Sequence, residues 1–580
     1  MIVDETRQKG EWNMQQNATN ETPGLANIKR VVVMMFENRS FDHIFGALPG
    51  VNGLFEDGQI NQNYFNLADP LNPPSPANLP VYPMPIDPSL PQLHDFNHDF
   101  GDGMMPSLFG PTFTVSGGTG QPNDSNTTYT SGYVNGVPIA QVQPVPQTYP
   151  VTNSGFYSTY RYYNNEPTIQ GQAALTYFEA GKLQVLHTLA NNFVLCDNWH
   201  CDMPGHTLPN RTFIHTGRTG VGIDDTDNGD NRHASIFDLI EPLPDCPPPG
   251  YQPSKWNIYV PVDEGGTLGQ CDTVFLNSNV KPYQGAPITD FATDCKNGTL
   301  PFYSFIMCWH PSSDAYTDTS MHPNALIQPG ENLLAAVYNT LRSSPCWEDT
   351  LLVVTFDENG GMYDHVFPPS ATPPVPGAAP DQQYLVGDCG NAWALNSTFD
   401  FSLLGVRVPA LLISPWLAAG IDSNQYQNTS VLRFLIDRMN AVDAPTTPIP
   451  PLTERDATAP SLDSAFVQYG QITMRQDCPD WIVPYATLPC TDPSTGSNAI
   501  PYSDGTLTPW TPPKSMMRAK PVAYIQEFLN IYVAPLPGHP DSGKKIIRDF
   551  ATNGDVASYT QERTQAAKQF YQAHSPSASA

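Results

Sequence analysis

A run of apolar and β-branched residues, Leu351 to Phe356, passes without a break into Asp357-Glu358-Asn359-Gly360-Gly361-Met362-Tyr363-Asp364-His365. Such a run fits a strand covered on both faces, as in the parallel sheets of α/β proteins. Those sheets place their ligands outside the carboxyl ends of the strands, where this chain puts two adjacent carboxylates. Carboxylates so close repel unless a cation lies between them, and hard cations take oxygen ligands. Gly360 and Gly361 permit a tight turn in which backbone approaches a ligand closely. Taken alone, the loop also fits a solvated acidic turn, the lesser of the two readings.

The same arrangement occurs earlier. Ile28 to Phe36 reads as a strand, and Glu37-Asn38-Arg39-Ser40-Phe41-Asp42-His43 follows it directly. A carboxylate and a carboxamide then stand at a second strand end. Glu37, Asn38, Asp357 and Glu358 together make a candidate site for a divalent metal ion. A third strand, Asn192 to Asn198, runs into Trp199-His-Cys-Asp-Met-Pro-Gly-His-Thr-Leu-Pro-Asn-Arg211. Thr207 suits an N-cap and Pro209 a first helical turn, and a hydroxyl there lies in a field that favours phosphate. His94 and His98, four apart, share one helix face if that segment is helical.

Strands alternating with helices predict a mostly parallel sheet flanked by helices. Helices are expected at Pro167–Asn191, Gly330–Ser343, Ser430–Met439, Ala523–Tyr532 and Val556–Tyr571, and strands at Phe302–Trp309 and Val408–Ser414. Residues 1–26 read as a polar leader and 27–535 as one domain. Loop-rich insertions lie near 50–165, 220–300 and 440–520, and 536–580 read as a C-terminal helix and disordered tail. The 61 prolines and 42 glycines among 580 residues demand such loops.

A formal charge of −29 argues against nucleic acid as a partner and against an electrostatic patch for anionic membranes, leaving at most transient membrane contact. The ten cysteines are even in number and lack a CxxC pair. With few lysines and many prolines they suggest disulfides in a secreted or periplasmic protein whose signal peptide is absent from this numbering. Sequons at Asn17, Asn20, Asn126, Asn297, Asn396 and Asn428 are compatible with glycosylation.

Glu37-Asn-Arg-Ser-Phe-Asp-His43, Pro204-Gly-His-Thr-Leu-Pro-Asn-Arg211, His322-Pro323 and Phe356-Asp-Glu-Asn-Gly-Gly-Met-Tyr-Asp-His365 fall in the order of the phosphoesterase family. That family comprises non-specific phospholipases C and respiratory-burst-inhibiting acid phosphatases, within the alkaline-phosphatase-like superfamily. The resemblance implies a three-layer α/β sandwich. It implies metal binding by Glu37, Asn38, Asp357 and Glu358, and attack on phosphorus by Thr207. His322 resembles an active-site histidine. His94 resembles the histidine of an early Asp-x-x-His segment, with His98 as the alternative, and His365 is a further catalytic candidate. His206 departs from the small or Pro residue commonly found just before the nucleophile.

The expected function is cleavage of phosphodiesters such as glycerophospholipids, assisted by a divalent cation and passing through phosphothreonine. Asn210 or Arg211 would assist at the phosphate. The alternatives are an acid phosphatase acting on phosphomonoesters, and a non-catalytic extracellular binding protein on a hydrolase scaffold. Sulfatase chemistry is disfavoured, because the Cys/Ser-x-Pro-x-Arg motif of arylsulfatases is absent. Tyr157, Tyr160, Tyr162 and Tyr163 would either line a lipid cleft or simply pack.

Overall fold

The computed structural model describes most of residues 22–67, 79–109, 153–219, 234–241, 253–260, 286–308, 318–377, 399–442 and 445–485, with short strand fragments between 115 and 138. Its centre is an eight-stranded sheet: β1 (Arg30–Phe36), β2 (Val194–Cys196), β3 (Trp256–Val260), β4 (Ala286–Pro287), β5 (Tyr303–Ile306), β6 (Thr350–Phe356), β7 (Ala410–Ile413) and β8 (Gly420–Asp422). The spatial order is β4-β3-β5-β1-β6-β7-β2-β8.

Every residue of β1 from Val31 onward, and all of β6, is buried. Both faces of the sheet are therefore covered, which is why these strands read as unbroken apolar runs rather than as alternations. The helices form two groups. One joins α4 (Ile288–Asn297) to α5 (Gln328–Arg342); the other joins α6 (Thr429–Val442) to α3 (Thr207–Thr216) and to Ile236–Ile240. The result is a three-layer α/β sandwich.

All neighbouring strands are parallel except at β7, which runs antiparallel to both β6 and β2. A parallel return needs a crossover, usually a helix, and no helix is described between Phe356 and Ala410. The chain re-enters the sheet from the end it left.

Two expectations need correction here. Pro167–Asn191 is not one helix: it divides into a 3-10 turn (Gln170–Leu175), a short strand (Thr176–Tyr177) and α2 (Leu186–Asn192), with Gly181 at φ 80° between them. Its apolar spacing came from separate elements that serve two cores, Leu175 and Tyr177 in one apolar cluster and Phe178, Leu183, Val185 and Leu186 in another. The 50–165 region is also more than surface excursion. Leu54, Phe96, Phe100, Met104, Met105, Leu108, Phe156, Tyr157 and Tyr160 join a second apolar cluster with Met203, Phe213 and Met362. Tyr157 and Tyr160 are thus packing residues, Tyr160 lying 4.6 Å from Phe96 between ring centres.

Cys196, Cys201, Cys295, Cys308, Cys346 and Cys478 are buried free thiols, so the expected disulfides are absent among the described residues. Asn428 is no glycosylation site in the folded chain. It is buried completely, and its carboxamide donates to the carbonyls of Phe356 (3.2 Å) and Asp357 (3.0 Å). Residues 1–21 of the leader, the Ala523–Tyr532 and Val556–Tyr571 helices, the tail, and Cys246, Cys271, Cys389 and Cys490 lie outside the described residues. No described helix is long and apolar enough to cross a membrane.

A buried acid braces the helical layer. Glu331 of α5 accepts the backbone N–H groups of Val185 (3.0 Å) and Leu186 (2.8 Å), at the start of α2, and the Tyr485 hydroxyl (2.6 Å). Burial pushes its pKa up to about 7, against these hydrogen bonds. A carboxyl raised in the folded state contributes stability below its unfolded value, and that contribution is lost as pH rises through about 7. Wild-type stability should therefore fall between pH 5 and pH 8 by on the order of 1–3 kcal/mol from this group. Glu331→Gln, which mimics the protonated acid, should flatten that part of the curve in denaturant titrations. An unchanged slope would remove Glu331 from the account.

Candidate active site

The site forms where β1 and β6 end side by side. Phe36 pairs with Phe356 in the parallel register, and the Asp357 N–H donates to Phe36 O at 3.0 Å. The next residues, Glu37-Asn38 and Asp357-Glu358, are thereby brought together. Asp357 Oδ1 accepts the N–H groups of Asn38 (3.1 Å) and Glu358 (2.7 Å). Glu358 Oε2 accepts the Gly360 N–H at 2.5 Å, and the Arg39 N–H donates to Glu358 O at 3.1 Å. Asn38 sits in the left-handed region at φ 63°, which Asn tolerates better than most residues. Gly360, at φ 60°, crosses it so closely that an added Cβ would fall 2.7 Å from Asn38 Cβ.

A third loop arrives beyond β5, on the other side of β1. The Glu37 N–H donates to Ser320 O at 2.9 Å. His322 Nδ1 lies 3.0 Å from Glu37 Oε2 and 2.7 Å from Ser320 Oγ. Arg39 fastens this loop through the carbonyls of Met321 (2.6 Å) and His322 (2.9 Å).

Thr207 comes from the chain following β2, two strands from β6. The structure makes it the first residue of α3, with His206 rather than Thr207 as N-cap. Asn210 shapes the turn. Its Oδ1 accepts the Met203 N–H at 3.0 Å, and its Nδ2 lies near the carbonyls of Met203, Gly205 and His206. Asn210 is thus committed to the loop rather than to a phosphate. Asp202 ties the same loop to the start of α6 by accepting the Thr429 N–H (2.8 Å) and Oγ1–H (2.6 Å). Burial raises its pKa to about 6 even though Arg455 and these bonds oppose the shift.

Thr207 Oγ1 lies 3.5 Å from Asn38 Oδ1. Arg211, one turn on and on the same helix face, reaches Glu37 Oε1 at 2.8 Å and Asp357 Oδ2 at 3.2 Å. It braces the carboxylates and is not an ornament of the helix end. Its spacing from Thr207 was the signal available in the sequence.

His94 lies outside the described residues, but His98 is at the site. Its Nδ1 is 2.7 Å from Phe96 O and so carries the proton. Its Nε2 faces Asn38 Nδ2 at 3.4 Å and Glu358 Oε1 at 3.7 Å.

His365 is placed elsewhere. Its partners are Asp42 (2.8 Å), Asn52 (3.1 Å), Arg407 (3.4 Å) and the stacked ring of Tyr64, and none of them is a residue of the Thr207 cluster. Asp42, Asp364 and His365 are close enough together to hold a metal ion. Arg407 already serves that group, donating to Asp42 (3.0 Å) and to both oxygens of Asp364 (2.9 and 3.2 Å). The Arg407 guanidinium there answers both carboxylates.

The balance differs at the strand ends. Glu37, Asp357 and Glu358 are three buried carboxylates, and Arg211 bridges two of them, Glu37 and Asp357. Burial raises the pKa of Asp357, although Arg211 and the Asn38 and Glu358 N–H groups oppose it. Carboxylate and carboxamide oxygens with excess negative charge in a buried setting suit a hard divalent cation. The residues fit such an ion.

A model of the phosphoesterase family matches residues 28–241 and 270–442. Non-specific phospholipase C5 of Arabidopsis thaliana is 29% identical over 481 residues, covering 78% of this chain and 76% of that protein. Phospholipase C B of Mycobacterium tuberculosis is 28% identical over 483 residues, covering 77% and 78%. Non-hemolytic phospholipase C of Burkholderia pseudomallei is 26% identical over 499 residues, covering 77% and 60%. Among solved structures, a protein in the alkaline phosphatase superfamily from Vibrio parahaemolyticus aligns with 47% of this chain and 63% of its own, at 15% identity and a TM-score of 0.27. That overlap is too small to carry an argument.

Gly360→Ala tests the crossing of the two strand-end loops. The added methyl meets Asn38 in a backbone conformation that alanine resists, so the variant should lose about 1–3 kcal/mol in denaturant unfolding. A loss below about 0.5 kcal/mol would show that the crossing relaxes freely.

Proposed function

The chain belongs to the phosphoesterase family, and from that premise we propose a metal-assisted phosphoester hydrolase of phospholipase C type, cleaving phosphodiesters such as glycerophospholipids. The observation that carries this reading is the Thr207 hydroxyl at the start of α3, 3.5 Å from Asn38 and above the buried acidic cluster. Names of relatives support the substrate class: the three phospholipases C above span most of this chain.

Glu37, Asn38, Asp357 and Glu358 would hold the divalent cation. Bound there, the cation supplies Lewis acidity that lowers the pKa of a coordinated hydroxyl and neutralises phosphate charge. Arg211 orients Glu37 and Asp357. Thr207 gives its proton to solvent and its oxygen attacks phosphorus, while the positive end of the α3 dipole favours the phosphate oxygens. The diacylglycerol oxygen departs with a proton from His322, whose ring Glu37 and Ser320 orient. Water then hydrolyses the phosphothreonine, releasing the phosphorylated head group. His98, on the Asn38 side, is the second histidine of this reading, and His365 supports the Asp364 end of the loop. A secreted or periplasmic setting stays part of the proposal.

Hydrolysis of p-nitrophenylphosphocholine and p-nitrophenyl phosphate, with and without chelator, tests the reading. Diester turnover lost to chelator and restored by added metal is expected. Monoester turnover alone would move the assignment to an acid phosphatase, and silence on both substrates would favour a binding protein. Thr207→Ala should lose at least about a hundredfold in kcat while remaining folded; near-normal turnover would dismiss Thr207 as nucleophile. Asp357→Asn should lose bound metal and turnover together, and unchanged metal content would refute the cation site.

A further inference from the structure

Two helix N-caps near the nucleophile use their side chains on each other rather than on their own helices. Asp99 precedes the wide helical turn Phe100–Met104, and His206 precedes α3; neither side chain caps the helix that follows it. Instead His206 Nε2 meets Asp99 Oδ1. The His206 ring also stands edge-on to His98, with centroids 5.1 Å apart.

The pair joins two segments that flank one carboxamide. His98, next to Asp99, faces Asn38 Nδ2, while Thr207, next to His206, faces Asn38 Oδ1. On the far side Phe100, Met104 and Met105 sink into the second apolar cluster together with Met203 and Phe213, which flank Thr207 in sequence. The strap, residues 96–108, is thus seated by the apolar packing of Phe96, Phe100, Met104, Met105 and Leu108, and its Asp99 meets the nucleophile's loop at His206.

We propose that Asp99 and His206 are positioning residues: their contact latches the strap carrying His98 to the loop carrying Thr207, so that both side chains reach Asn38 in register. An imidazole N–H donates to a carboxylate whether the ring is neutral or charged, so the latch needs no titration. It rests on the phosphoesterase reading for its consequence in turnover, but the latch itself is a property of the fold.

The test is a double-mutant cycle on the metal-loaded full chain. Asp99→Ala and His206→Ala should each lower kcat about ten- to a hundredfold with KM within about threefold, because misplacement of catalytic groups acts on the chemical step. The double variant should be no worse than either single one. Asp99→Asn, whose carbonyl still accepts the imidazole N–H, should retain kcat within about threefold. Hydrogen exchange should quicken jointly over 96–109 and 203–210 in either alanine variant, while 30–36 stays protected. Additive losses, damage from Asp99→Asn equal to that from Asp99→Ala, or exchange confined to the mutated segment would overturn the latch. If the wild type hydrolyses no phosphoester, the functional reading fails and the exchange experiment still decides the latch.

Discussion

Three carboxylates crowded at the ends of two adjacent strands would drive those strands apart if nothing opposed them. Arg211 opposes them from the outside, bridging Glu37 and Asp357. Backbone N–H groups oppose them from within, since Asp357 Oδ1 takes two and Glu358 takes the Gly360 N–H. The compensation is incomplete, and burial leaves Asp357 with a raised pKa. A folded protein keeps such an imbalance only where the remainder of the structure holds it in place. The left-handed backbone of Asn38, Met321, Gly360 and Gly361 marks the same spot. The acidic cluster and the strained turns are two expressions of one constraint: oxygen ligands must converge on a point that the strands alone would not bring together.

What holds the imbalance is a set of buried polar links, each joining a site loop to the scaffold. Asn428 grips the last carbonyl of β6 and that of Asp357, and its Oδ1 accepts the Trp199 indole N–H at 2.8 Å. The neighbouring Thr429 is held by Asp202, which leads into the nucleophile's turn. Two consecutive residues at the head of α6 thus connect the cation loop with the Thr207 loop. On the opposite flank Arg407 secures Asp42 and Asp364, the far ends of the two strand-end motifs. Removing such a partner strands buried charge or polar atoms, so these links matter more for geometry than for net stability.

The sequence disclosed the strands and their acidic ends because local patterns encode both: apolar continuity for β1 and β6, glycine pairs for the turn. Glu37, Asn38, Asp357 and Glu358 could be singled out for the same reason, whereas Thr207 and His322 stood out through the resemblance of their motifs to the phosphoesterase family. Asn428 and Asp202 were hidden because nothing local marks them as anchors, whereas Arg211 carried a signal in its spacing from Thr207. Asn428 resembled a glycosylation sequon, Asp202 drew no reading at all, and Arg211 was expected at the phosphate rather than on the carboxylates. Their roles exist only once residues 70 to 230 positions apart are brought into contact. The missed split of Pro167–Asn191 has a related cause. Separate short elements buried in two adjoining cores imitate the apolar spacing of a single helix, and period alone cannot tell them apart. The six described cysteines are buried free thiols that pack as small apolar side chains, which parity alone does not reveal.

The position of β1 between β5 and β6 sets a timetable for synthesis. Its flanking partners, Tyr303–Ile306 and Thr350–Phe356, leave the ribosome about 270 to 320 residues after it does. At ordinary elongation rates that is roughly 15 to 60 s during which Val-Val-Val-Met-Met-Phe has no native neighbour on either edge. The strand that carries the first half of the acidic cluster is therefore the one left longest as an open, apolar template. Yield in a heterologous host will be governed by how that one segment is shielded during translation, well before any question of catalytic competence arises.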